Sequence, residues 1–221
     1  MNLLVLGDSL SDGGWERDPA GVGSAWPASL ARLASESGID LALSIRARGG
    51  SRSTEVLGEF RESATTSPGI VAVLAGTNDV WRRWVPWLDH SPVDEDDFRR
   101  NLRGIAKLAF ERGASAVWIL TPVLLNPDPD HPWNEVLRSY REICREAASM
   151  EGAILVPTGD DLEAGVRAHP EVKWSYDGIH PRPVAHERLA WTVLHHGLGG
   201  PELPTGSIPP KPAGHRLGNW P

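Results

Sequence analysis

Cysteine is nearly absent from this chain: Cys144 is the only one in 221 residues. A single thiol excludes an internal disulfide framework and a cysteine-based zinc knuckle. It sits in the apolar-periodic run Val136, Leu137, Tyr140, Ile143, Cys144, Ala147, and so reads as a small core residue on a helix. Lysine is also scarce, limited to Lys107, Lys173 and Lys211, so the positive charge is almost all arginine. The formal net charge is −7, which argues against a nucleic-acid partner, since that needs clustered positive charge. No stretch approaches the ~20 apolar residues of a membrane span. The short apolar run at residues 3–6 lacks the length and basic flank of a signal sequence. A cytoplasmic protein, taken as a monomer, is expected.

What is there is alternation. Short apolar, β-branched runs at Leu3–Leu6, Leu41–Ile45, Ile70–Leu74, Ala116–Leu120 and Ile154–Val156 predict five strands. Helical patterns begin near Ser24, Ser53, Ser91, Pro132 and Pro183. Ser91-Pro92 followed by acids predicts an N-cap and first turn, and Gly113 a C-terminal stop. Strands alternating with helices imply a parallel sheet with right-handed crossovers and helices on both faces. The expected fold is a single flavodoxin-like α/β domain in three α/β/α layers, with a central parallel sheet of about five strands. It is expected to span residues 1–196. Residues 197–221, rich in Gly and Pro and without periodicity, predict an extended tail.

The first strand runs into Gly7-Asp8-Ser9-Leu10. Open α/β sheets keep their sites beyond the carboxyl ends of the strands, which makes Ser9 a candidate nucleophile. A serine needs a general base, and the base an orienting acceptor. Both lie in Trp174-Ser175-Tyr176-Asp177-Gly178-Ile179-His180-Pro181, where a tight turn at Gly178 brings Asp177 beside His180. Oxyanion donors are offered at two other strand ends, by the Asn78 amide in Gly76-Thr77-Asn78-Asp79 and by a backbone N–H in Arg48-Gly49-Gly50-Ser51. Each motif alone is ordinary turn chemistry; together they follow one predicted edge of the sheet.

With these blocks the chain resembles the SGNH hydrolases, also called the GDSL lipase/esterase family, from residue 2 to about residue 196. Ser9 matches the nucleophile block, Gly50 the glycine block, Asn78 the G-x-N-D block, and Asp177 with His180 the D-x-x-H block. The glycine block carries Arg46-Ala47-Arg48 where many members have an asparagine, and Gly50 is preferred to Gly49 as the donor. The resemblance implies the SGNH-hydrolase fold and acyl transfer on a small or medium carboxylic ester or thioester. Ser9 would attack, His180 oriented by Asp177 would act as base, and the oxyanion would be held by the N–H groups of Ser9 and Gly50 and the Asn78 side chain. A small-molecule ester is then the only partner, and no metal or organic cofactor is needed. An acyltransferase using the same residues and a non-catalytic ligand-binding domain are the alternatives.

Around this set, Trp81, Trp84 and Trp87 follow Asn78 at helical spacing, and with Trp15 and Trp174 are candidate walls or a lid over an acyl pocket. Arg48 and Arg82 are candidate pocket residues among arginines that otherwise read as surface ion pairs. His195-His196 reads as a helix-end pair rather than a metal site.

Overall fold

The structure is a computed structural model and describes residues 1–14, 16, 23–84, 92–123, 125 and 131–212. Five strands form one parallel sheet: β1 (Asn2–Gly7), β2 (Ala42–Ala47), β3 (Ile70–Leu74), β4 (Ala116–Leu120) and β5 (Ile154–Val156), in the order β2-β1-β3-β4-β5. This is the flavodoxin-like order expected. The eight α-helices among the described residues are α1 (Ser9–Asp12), α2 (Trp26–Glu36), α3 (Ser53–Glu62), α4 (Thr77–Trp81), α5 (Glu95–Glu111), α6 (Pro132–Glu151), α7 (Thr158–Ala168) and α8 (Pro183–Leu198).

Successive strand residues point to opposite faces, so each buried strand feeds two cores. Leu4 and Leu6 pack under α3, α5 and α6, with Phe60, Phe98 and Ile143. Leu3 and Val5 pack under α2, α7 and α8, with Trp26, Leu162 and Leu189. This double burial explains why the strands read as continuous apolar runs.

The register positions the site. Gly7 pairs with Ala47 on one side and Leu74 on the other; Leu74 pairs with Leu120, and Leu120 with Val156. All five strands therefore end in one row, and the loops that follow share one edge.

Four helices differ from expectation. The helix expected to start at Ser91 starts at Glu95, with Asp94 as N-cap accepting the Asp97 N–H at 2.7 Å. The Asp94 carboxyl does what the serine was expected to do. The short helices α1 and α4 replace expected turns, and α7 was not foreseen, because its Gly159, Gly165 and acidic first turn blur the apolar period. Gly113, with φ 84°, ends α5 as expected.

The last helix runs to Leu198, and the segment after it lies against the body. The fully buried Arg188 donates to the Ser207 and Pro204 carbonyls, and Ile208 packs on the α2/α8 core. Near the end of α8, a Cβ on Gly197 would sit 2.9 Å from the Trp118 ring. Alanine normally favours a helix by about 1 kcal/mol over glycine. Here overpacking should prevail, and Gly197→Ala is expected to lose about 1–2 kcal/mol in urea unfolding. A stabilised variant would contradict this packing.

Candidate active site

Ser9 is the first residue of α1, directly after β1. The strand must turn sharply there. A Cβ on Gly7 would lie 2.7 Å from the Leu74 carbonyl and 2.9 Å from Ser11 Oγ, so Gly7, two residues before Ser9, admits no side chain. Asp8 caps α1, its Oδ1 accepting the Leu10 N–H at 2.9 Å. Ser9 itself is half-buried, and its N–H has no acceptor among the described residues, as befits a first-turn helical donor.

The β2 loop lies against it. Gly49 approaches Ser9, with 3.8 Å between an ideal Gly49 Cβ and Ser9 Cβ. The Gly49 N–H donates to Asp12 Oδ2 at 3.1 Å. The Gly50 N–H has no such acceptor among the described residues and remains available. This favours Gly50 over Gly49 as an oxyanion donor.

Asn78 is the second residue of α4, whose N-cap is Gly76 at φ 114°. Its Nδ2 donates to Asp8 Oδ2 and to the Ser51 carbonyl, both at 3.0 Å. Both amide protons are thus engaged. An oxyanion recruits Asn78 only by sharing or displacing one of these bonds.

The third block is a tight hairpin. Ser175 and Pro181 form an antiparallel bridge, and Tyr176 N–H donates to the His180 carbonyl at 3.0 Å. Gly178 at φ 88° makes the turn. The turn converges on Asp177: Oδ1 accepts the N–H of His180 at 2.8 Å and of Ile179 at 3.0 Å, while Oδ2 meets His180 Nδ1 at 2.6 Å. Burial alone would raise the Asp177 pKa, but these hydrogen bonds outweigh it and hold it below the usual carboxylate range. The Gly178 carbonyl accepts the Leu125 N–H at 2.8 Å, tying the hairpin to the loop after β4. Ser9 Oγ donates no hydrogen bond to His180, and the imidazole Nε2 has no partner among the described residues.

Beneath these groups lie two buried carboxylates that sequence reasoning left without a role. Asp8 is fully buried, and burial, opposed by the Leu10 and Asn78 hydrogen bonds and reinforced by Asp79, pushes its pKa up to about 7. Asp79 is raised by burial to about 6, against hydrogen bonds from the Ser53 N–H and hydroxyl. Asp79 thereby pins the start of α3, and with it the glycine loop, to α4. The available signal was that both aspartates lie inside the matched blocks that follow the strand ends.

The pocket candidates divide. Trp81 packs against the α5/α6 core, and Trp174 is buried with its Nε1 donating to the His169 carbonyl at 3.0 Å. Trp174 also lines a pocket with Leu125, Val166 and Val172. Trp15, Trp87 and the side chain of Trp84 lie outside the described residues. Arg48 turns outward to Glu59 and leaves the site. Arg82 donates to the Gly50 carbonyl. No group of three or more metal-ligating side chains occurs among the described residues, and His195 and His196 stack edge-on at 4.8 Å with His195 Nδ1 on the Gly200 carbonyl. No helix among them is long and apolar enough to cross a membrane.

The model of the GDSL-like Lipase/Acylhydrolase family matches residues 5–188. No curated protein matches the sequence. Among solved structures, an acetylxylan esterase from Geobacillus stearothermophilus is 20% identical with TM-score 0.78, over 88% of this chain and 92% of that one. An alpha/beta hydrolase enzyme from the metagenome of Lake Arreo, Spain, is 23% identical with TM-score 0.78, over 88% and 93%. The fold of these proteins is the fold of this chain. With its family model matched from β1 into α8, this chain belongs to the GDSL-like lipase/acylhydrolase family and is an ester hydrolase.

Proposed function

We propose that this chain hydrolyses carboxylic esters or thioesters of small or medium acyl groups through a Ser9 acyl-enzyme. The observation that carries the reading is the Asp177–His180 turn, in which one carboxylate takes the imidazole Nδ1 and two backbone N–H groups. With Nδ1 held, Nε2 is the basic nitrogen. It takes the Ser9 proton as Oγ attacks the carbonyl carbon, and returns it to the leaving alcohol or thiol. Water then attacks the acyl-enzyme with His180 again as base, releasing the acid and restoring Ser9. The Ser9–His180 hydrogen bond is made with substrate bound, as catalytic contacts often tighten in the Michaelis complex.

The negative oxygen of each tetrahedral intermediate would be met by the Ser9 and Gly50 N–H groups and by Asn78. The first two are unpartnered, which supports their role. All of these groups come from residues 1–196 of the chain.

The test is a series of p-nitrophenyl esters from acetate to octanoate, with acetylated xylo-oligosaccharides added because a structural neighbour is an acetylxylan esterase. The expected result is saturable hydrolysis that falls with acyl length, and stoichiometric labelling of the Ser9 peptide by a fluorophosphonate. Absence of labelling at Ser9, or no ester cleaved above the buffer rate, would overturn the reading.

A further inference from the structure

An oxyanion donor is useful only if it is held before the charge develops. The candidate N–H of Gly50 lies at the middle of the turn Arg48-Gly49-Gly50-Ser51, closed by the Ser51 N–H on the Arg48 carbonyl at 3.1 Å. Two adjacent glycines make this the softest kind of turn. Gly50 has φ 80°, which glycine reaches at no steric cost but does not enforce. Something outside the turn has to hold it.

Helix α4 and its C-cap residue Arg82 supply the hold. Asn78 and Arg82 are four residues apart, so their side chains share one helix face. Asn78 Nδ2 takes the Ser51 carbonyl, and Arg82 Nη2 takes the Gly50 carbonyl. Two consecutive carbonyls of the glycine loop are therefore gripped by two side chains one helical turn apart. On the other side of the loop, Asp12 takes the Gly49 N–H. The peptides before and after the Gly49–Gly50 peptide are thus anchored to α1 and α4, and that central peptide keeps its N–H free.

Arg82 is committed to this task. Its Nε is buried without a partner, and it forms no ion pair among the described residues. An ideal Cβ on Gly50 would meet Arg82 Nη2 at 3.3 Å, so the guanidinium lies directly over the glycine. Keeping a partly desolvated cation on a single carbonyl is costly unless that carbonyl must not move. The guanidinium also adds positive charge beside the site where the oxyanion forms.

We propose that Arg82 is a positioning residue of the oxyanion site, acting through the Gly50 carbonyl to fix the orientation of the Gly50 N–H. The proposal rests on the reading of Gly50 as an oxyanion donor. It assigns Arg82 no contact with substrate. Loss of Arg82 should therefore lower kcat and leave KM alone, whereas a residue gripping the substrate would raise KM.

The experiment compares wild type, Arg82→Met, Arg82→Lys, Gly50→Ala and the Arg82→Met/Gly50→Ala double variant on p-nitrophenyl acetate, with inhibition by a short alkyl boronic acid as a tetrahedral mimic. Arg82→Met is expected to lose about 10- to 100-fold in kcat with KM within about twofold. Boronate affinity should weaken by a similar factor. Arg82→Lys, which keeps the charge and one donor, should recover part of the loss, and its fold is the less disturbed of the two. In the Gly50→Ala background, Arg82→Met should cost little more, because both changes disable one device. Additive losses, a raised KM with unchanged kcat, or a kcat within twofold of wild type for both Arg82 variants would overturn the inference. Ser9 labelling separates the two readings: a chain that labels at Ser9 but ignores Arg82 keeps the nucleophile and loses the positioning role.

Discussion

Ser9→Ala should lower kcat on p-nitrophenyl acetate by about 10⁴-fold or more, and His180→Ala by a comparable factor, while the double variant should be no worse than either single one. The nucleophile and its base act as one unit, so removing the second after the first removes nothing further. Residual activity would come from the oxyanion donors, which neither change touches. Asp177→Asn is expected to cost less. The Asp177 and His180 side chains are 51% and 52% exposed, so solvent already screens the carboxylate's charge on the imidazole. What Asn would still supply is the acceptor at Oδ1 for the two N–H groups that shape the turn. Initial rates with purified variants, corrected for contaminating wild type by active-site titration, measure these ratios. Ser9→Ala retaining a tenth of wild-type activity would remove Ser9 from the mechanism.

The second large effect concerns stability. Asp8 titrates near 7 in the fold and near 3.8 when exposed, because burial and the neighbouring Asp79 oppose its charge. Below about pH 4 both the folded and the unfolded chain hold this proton, and the group is neutral in the balance. Between pH 4 and pH 7 the unfolded chain releases a proton that the folded chain keeps. Stability therefore falls as pH rises through that window, by about 4 kcal/mol for Asp8 alone. Asp79, raised to about 6, works in the same direction over the lower part of the window. Carboxylates held low by hydrogen bonds and arginines, Glu55 and Glu163 among them, act oppositely and at lower pH. The difference between wild type and Asp8→Asn isolates the buried group. Urea unfolding at pH values from 4 to 7.5 should show that difference moving by about 4 kcal/mol in favour of the variant as pH rises. A constant difference would mean that Asp8 is ionised throughout.

The same carboxylate joins stability to the site. Asp8 Oδ2 is the acceptor that holds Asn78, and Asn78 holds the glycine loop at Ser51. The fold tolerates a costly buried acid at the point where the candidate oxyanion donors are assembled. Such a group is common where function competes with stability.

Much of this was legible in the chain. The five strands were readable because a parallel strand is buried on both faces, and Ile70–Leu74 or Ala116–Leu120 can be nothing but apolar. The Asp177–His180 pair was readable because three residues and a glycine make a local turn, and local geometry is written in local sequence. Helix starts were less so. Ser91 and Asp94 both carry the chemistry of an N-cap, and only the packing of α5 on the sheet chose Asp94. Trp81 at helical spacing fits a lid and a core stripe alike until the position of α4 is known.

Sequence by itself thus determined the sheet, its order of connection, and the residue types that gather along one edge. The tertiary structure decided what each of those residues is free to do. It buried Asp8 and Asp79 and so set their protonation, engaged the Gly49 N–H with Asp12 while leaving that of Gly50 open, and turned Arg48 away while bringing Arg82 onto the glycine loop. The Gly49–Asp12 and Gly50–Arg82 contacts join residues more than thirty positions apart. Desolvation and hydrogen-bond partnership depend on everything packed around a group, and no local pattern of residues encodes that.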